Sequence, residues 1–203
     1  MKYIKFLSLL ILLAVAPGLK AITAAEVVDK VVANMQSAPS INVKMTMQTG
    51  RQTVNGDLTI AREKFKYGAG SIAVFYDGST QWTVDHGSKE ISLNNPTASE
   101  LSEVNPLAFM QSYKKNYSVA MVSQSGGTYV IKMTANRKSA YVRTAQVTVN
   151  ASTWMPTQIV ASLANGQNMT IRINSATKGK SLGIDSFRYN PKSNPSYEVI
   201  DLR

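Results

Sequence analysis

The 203-residue sequence has no cysteine and a single histidine. Without cysteine there is no disulfide, thiol nucleophile, thiolate metal site or lipid-bearing cysteine at a processed N-terminus. The one imidazole, His86, sits in the turn Asp85-His86-Gly87-Ser88. General acid–base work needs a partnered, tuned group, so a structural or neutral role is the expectation there. Acidic residues are also scarce, 12 against 22 basic ones, and they are scattered. Glu100 and Glu103 fall at helical spacing and read as a solvated helix face rather than a catalytic pair. Neither a phosphate-binding glycine loop nor a dinucleotide fingerprint occurs. No enzyme activity, metal or cofactor is expected, although a carboxylate pair assembled in a cleft would revive a hydrolase.

Long apolar runs are missing after the first. Met1-Lys2-Tyr3-Ile4-Lys5 is a positive opening, Phe6 to Ala16 is apolar, and Pro17-Gly18 with Ala21 supplies a breaker and a small residue. This pattern predicts a secretory signal peptide over 1–21, because the run falls short of the ~20 residues that span a bilayer. The remaining 22–203 is one domain's length, expected to be exported, soluble and periplasmic. Losing Lys2, Lys5 and Lys20 lowers the formal charge from +10 to +7. A positive surplus can favour anionic surfaces such as lipid headgroups, or simply keep a sheet solvated. Export argues against nucleic acid, and Tyr113-Lys114-Lys115-Asn116-Tyr117 is only one copy of a basic and aromatic alternation.

What is present is mostly strand. Thr23-Ala24-Ala25-Glu26 is a capping box opening a helix whose Val28, Val31, Val32 and Met35 form an apolar stripe, closed by Pro39. From Ile41 the period becomes two, with Ile41, Val43, Met45 and Met47 on one face. Further strands are predicted over 53–61, 64–67, 72–76, 80–85, 89–93, 117–122, 129–134, 142–149, 156–163 and 169–174. Asp77-Gly78 and Asn165-Gly166 suggest tight hairpins with both turn residues at positive φ. About eleven antiparallel strands in one domain must curl. The fold class is α+β. Only 97–115 interrupts the meander, with short helices near Ala98-Ser99-Glu100-Leu101 and Pro106-Leu107-Ala108-Phe109-Met110, a plausible lid. Apolar residues of both parities, such as Ile72 and Val74 beside Ala73 and Phe75, predict cover on both faces: the N-terminal helix on one, the inserted helices on the other. Methionines in the sheet and inserted helix, Met45, Met47, Met110, Met121, Met133 and Met169, suit a surface that repacks around variable apolar ligands, as well as ordinary core filling.

Several segments, taken in order and spacing, resemble the LolA family of outer-membrane lipoprotein carriers. Gly56-Asp57-Leu58-Thr59-Ile60-Ala61-Arg62 is similar to the family's Gly-Asp-Leu strand ending in an arginine, with Phe65 and Tyr67 as the following aromatic pair. Tyr76-Asp77-Gly78-Ser79-Thr80-Gln81-Trp82 resembles its Asp-Gly hairpin with tryptophan, and Asn105-Pro106-Leu107 the start of its lid helix. Phe187-Arg188-Tyr189-Asn190-Pro191 and Val199-Ile200-Asp201-Leu202-Arg203 resemble its C-terminal strand and tail. Glu63 stands where the family often has proline. The resemblance implies an unclosed half-barrel whose concave face takes acyl chains. That cavity would include Met45, Met47, Leu58, Phe65, Tyr67, Trp82, Met121, Met133 and Met169, under a lid of Leu101, Leu107, Phe109 and Met110. It also implies that Arg62 hydrogen-bonds lid carbonyls when closed and releases them when lipid enters. The implied function is a periplasmic chaperone, expected as a monomer, carrying acylated lipoproteins from an inner-membrane ABC transporter to an outer-membrane acceptor. A lipid- or lipoprotein-sensing module on the same half-barrel is the alternative, and a purely structural β-protein would lack an apolar cavity.

Overall fold

The computed structural model describes residues 21–98, 100–101 and 106–203, except the side chains of 106–108. Residues 1–20 of the expected signal peptide 1–21, Glu103, Asn105 and the Leu107 side chain lie outside these.

Helix α1, Ala24–Gln36, begins at the predicted capping box: Glu26 N–H donates to Thr23 Oγ1 at 3.2 Å and Thr23 N–H to Glu26 Oε2 at 2.7 Å. Its buried stripe is Ala24, Val27, Val28, Val31 and Met35, while Val32 is only partly buried. Twelve strands follow, β1 (Ser40–Thr49), β2 (Gln52–Ala61), β3 (Lys64–Ala69), β4 (Ile72–Tyr76), β5 (Gln81–Asp85), β6 (Glu90–Asn94), β7 (Tyr117–Ser125), β8 (Thr128–Ala135), β9 (Val142–Asn150), β10 (Pro156–Leu163), β11 (Asn168–Gly179) and β12 (Glu198–Asp201). Short helices α2 (Pro106–Gln111) and α3 (Tyr113–Asn116) lie between β6 and β7. All strands join one sheet in the order β12-β6-β5-β4-β3-β2-β1-β11-β10-β9-β8-β7, left open between β12 and β7. Neighbours are antiparallel except β12, which runs parallel to β6. Register shifts on β1/β11, β9/β10 and β7/β8 mark irregularities of the kind that bend strands and curve a sheet.

The two faces are covered differently from the sequence expectation. α1 and the inserted helices share the concave side: Val27, Val28, Val31, Met110 and Tyr113 belong to one buried cluster with Ile41, Leu58, Phe65, Ile131 and Met133. The inserted helices therefore do not cover the opposite face. The outward residues of β4–β6 form a second cluster, Trp82, Val84, Ile91 and Leu93 with Ala73 and Phe75, packed against Tyr189 and Tyr197 of the C-terminal segment. Phe75 pairs with Trp82, and Trp82 with Leu93. The mixed parity of β4 arises because its inward Val74 and Tyr76 serve one cluster while Ala73 and Phe75 serve the other.

The two dipeptide turns are also wider than expected. Asp77 to Thr80 and Ala164 to Gln167 are four-residue connections. Only the glycines take positive φ, 104° at Gly78 and 81° at Gly166. Asp77 Oδ1 accepts the backbone N–H groups of Ser79 and Thr80, each at 3.0 Å, and Asn165 Oδ1 accepts that of Gln167 at 3.0 Å. The short polar side chain substitutes for a backbone acceptor and makes the longer loop stable.

A roofed apolar face as the candidate binding site

Alternation on consecutive strands aligns apolar residues into rows across the concave face. One row reads Met47, Ile171, Ile159, Val147, Ile131 and Met121 from β1 to β7. The next reads Met169, Ala161, Ala145, Met133 and Val119. On the other side of β1, Val43, Leu58, Tyr67 and Val74 continue the surface across β2, β3 and β4. Each row exposes only apolar groups and the Tyr67 ring inward. Among the described residues the Tyr67 hydroxyl finds only the weak acceptor Met47 Sδ, at 3.4 Å, and burial pushes its pKa up. Such a face can hold alkyl surface.

The roof is α1 with the inserted segment. Met110 and Tyr113 are buried, and Leu101 and Phe109 pack against the core. Phe109 meets Tyr117 with ring centroids 4.8 Å apart. The Tyr113 hydroxyl donates to Asp29 Oδ1 at 3.0 Å, and Lys114 pairs with Asp29 at 3.0 Å, tying α3 to α1. Under the roof Phe65, Ile131 and Met133 have no exposure, whereas Met47, Tyr67, Met121 and Met169 are half-buried. The apolar face thus extends beyond its tightest cover.

Of the residues the sequence singles out, Met45, Met47, Leu58, Phe65, Tyr67, Met121, Met133 and Met169 all come to this face. Trp82 does not: it is directed to the convex cluster, because β4 and β5 pair with Phe75 opposite Trp82 and Tyr189 seals both from outside. Arg62 occupies the β2–β3 turn in a left-handed conformation, φ 57°, and is exposed. It lines a cavity of about 260 Å³ with Met35, Ala38, Ile41, Ile60, Glu63 and Gln111, the last residue of α2. Among the described residues no hydrogen bond or ion pair of Arg62 occurs. His86 accepts or donates at Nδ1 to the Tyr197 hydroxyl, 2.9 Å away, and rests edge-on against that ring. It belongs to the C-terminal cover.

The helical turn expected near Ala98-Ser99-Glu100-Leu101 opens on a cap that sequence reasoning did not name. Thr97 and Glu100 form a second capping box, with Thr97 N–H donating to Glu100 Oε2 at 2.7 Å and Glu100 N–H to Thr97 Oγ1 at 3.3 Å. The backbone N–H of Thr97 holds the Glu100 carboxyl below its ordinary pKa. The spacing repeats that of Thr23 and Glu26 and anchors the start of the inserted segment.

The family described as outer membrane lipoprotein carrier protein LolA matches residues 18–167. The chain belongs to that family. No curated protein matches the sequence. A conserved protein of Thermus thermophilus is similar in structure, with a TM-score of 0.61 at 9% identity over 88% of this chain and 98% of that one, so the two share a fold. A putative outer-membrane lipoprotein-sorting protein domain from Vibrio parahaemolyticus gives a TM-score of 0.48 at 8% identity, covering 81% and 96%. A LolA-superfamily protein from Nitrosomonas europaea gives 0.45 at 13% identity, covering 83% and 99%. The LolA-like architecture, an open curved sheet with helices in its concavity, is therefore the frame on which the apolar rows are mounted.

Proposed function

We propose that this LolA-family chain binds the acyl chains of lipoproteins on its concave face and carries them through the periplasm from the inner to the outer membrane. The observation that supports this reading is the continuous apolar, methionine-bearing surface beneath a roof held largely by side-chain packing. Lifting α2 would cost packing, while the ladder of the sheet stays paired. Each buried CH₂ contributes about 0.8 kcal/mol, so a chain of roughly fifteen methylenes needs such a refuge to cross water. Flexible thioethers at Met47, Met121 and Met169 adapt to chains of different length. No helix among the described residues is long and apolar enough to cross a membrane. In this reading Leu101, Leu107, Phe109 and Met110 move with the lid. Arg62 makes no hydrogen bond to the lid among the described residues, but it faces Gln111 across a cavity, and as a switch it would swing onto the lid carbonyls to hold the closed state and release them when lipid enters. The donor would be an inner-membrane ABC transporter that supplies the ATP, the recipient an outer-membrane acceptor, and the carrier a monomer.

Native mass spectrometry of the chain purified from periplasm, compared with Arg62→Leu, tests the proposal. Acylated lipoprotein accumulating on the variant is the expected result. Apo protein in both, with no uptake of added lipid, refutes it.

A further inference from the structure

The surplus positive charge is not spread over the molecule. Between Val104 and Ile184 the sequence has nine lysines and arginines and no aspartate or glutamate. That stretch builds α2, α3 and strands β7 to β11, which are contiguous in the sheet order. All twelve acids lie elsewhere, in α1, β2 to β6 with their loops, the start of the inserted connection and the C-terminal segment, where bases and acids nearly balance. One end of the sheet is therefore cationic and the other close to neutral.

Of the nine cations only Lys114 forms an ion pair among the described residues, with Asp29. Lys132 and Arg172 alternate with inward Ile131, Met133, Ile171 and Ile173, so they project from the convex face. Lys115, Arg137 and Lys138 are exposed at one rim. The loops that carry them are joined: Asn136 N–H donates to Asn116 O at 2.9 Å, Asn136 Nδ2 to Lys115 O at 3.3 Å, and Ala164 N–H to Tyr141 O at 2.7 Å. Tyr141, 44% exposed, stands beside them, an amphipathic ring of the kind that settles at headgroup level.

We infer that this cationic rim and convex half-sheet form a docking surface for an anionic phospholipid bilayer. A protein partner of stable affinity would want a cluster of buried apolar anchors. Among the described residues of this stretch the large exposed apolar groups are Val122 on β7, Tyr141 in the β8–β9 loop and Leu182 after β11, far apart in the chain and on different elements. Long, mostly unpaired cations spread over a broad face with one interfacial ring instead match a headgroup layer, whose potential attracts each nearby lysine or arginine and decays within a Debye length. This goes beyond acyl-chain binding, since it concerns where the protein sits when its roof opens.

The test is sedimentation of the purified protein with phosphatidylcholine vesicles containing increasing phosphatidylglycerol, at low and high salt. The triple variant Lys115→Gln/Arg137→Gln/Lys138→Gln is compared with a control of equal charge loss on the other half, Lys64→Gln/Lys66→Gln/Lys89→Gln. Unchanged circular dichroism melts establish that both variants are folded. The expected result is binding to anionic vesicles only, lost at high salt, with partitioning about a hundredfold weaker for the rim variant and little altered for the control. Equal effects of the two triples overturn the assignment of the surface. Failure of the unaltered protein to bind anionic vesicles at low salt overturns the proposal altogether, in favour of an acidic protein partner.

Discussion

Replacing Asp77 by alanine should be among the most damaging polar substitutions in this chain, because its carboxylate, with a side chain only 7% exposed, serves three donors. Oδ1 accepts from Ser79 and Thr80 N–H, and Oδ2 from Arg188 Nε at 2.8 Å. Alanine leaves both backbone donors without that acceptor, Thr80 being buried, and each such loss costs about 1 kcal/mol. Arg188 is 49% exposed, so solvent screening holds its share to about 1 kcal/mol. The total is about 3 kcal/mol. Arg188→Gln alone should cost about 1 kcal/mol, and a double-mutant cycle should recover a coupling of that size. Urea unfolding followed by tryptophan fluorescence is the assay, since Trp82 lies in the C-terminal cover's cluster and Trp154 against the concave core. Desolvation raises the Asp77 pKa, but the Arg188 and backbone hydrogen bonds outweigh it and leave it below the ordinary value. On acidification the unfolded chain therefore takes up the proton first. The stabilisation is complete above the ordinary carboxylate pKa and disappears as pH falls through the lower folded value. The deficit of Asp77→Asn should shrink over that range. A loss below about 0.5 kcal/mol for Asp77→Ala at neutral pH would refute the reasoning.

Three further substitutions probe the concave face. A Cβ at Gly56 would lie 2.9 Å from the Gly68 carbonyl oxygen and 3.3 Å from Ala69 Cβ, so Gly56→Val should push β2 from β3 and cost about 3 kcal/mol, read by thermal melting. Met133→Ala, at a fully buried position, should cost about 2–4 kcal/mol in urea. Met121→Ala, half-buried on the neighbouring strand, should spare most stability yet weaken uptake of a fluorescent fatty acid measured by titration.

Strand-like runs bounded by polar turns mark eleven of the twelve strands; where a strand buries one face, a slip of one residue would reverse it, whereas β4 buries residues of both parities. β12 was legible only through family resemblance, since its four residues are mostly exposed. Trp82 was misassigned for a different reason: alternation tells which residues share a face but not which face is concave, and the cover of Phe75 and Trp82 comes from Tyr189 and Tyr197 far along the chain. The hairpin dipeptides marked turns correctly, but whether two or four residues span them depends on hydrogen bonds from Asp77 and Asn165 side chains. The acid-free stretch is plain in the sequence, yet it becomes a surface only when the topology places β7 to β11 side by side.

The parallel pairing of β12 with β6 has a consequence for biogenesis. Glu198 lies beside Glu90, so the rim of the sheet waits for roughly a hundred further residues to be synthesised before it is finished. Until then Phe75, Trp82 and Leu93 have no cover from Tyr189 and Tyr197. A stalled or clipped chain would carry that aromatic patch bare, a ready mark by which quality-control proteases could distinguish incomplete molecules from finished ones.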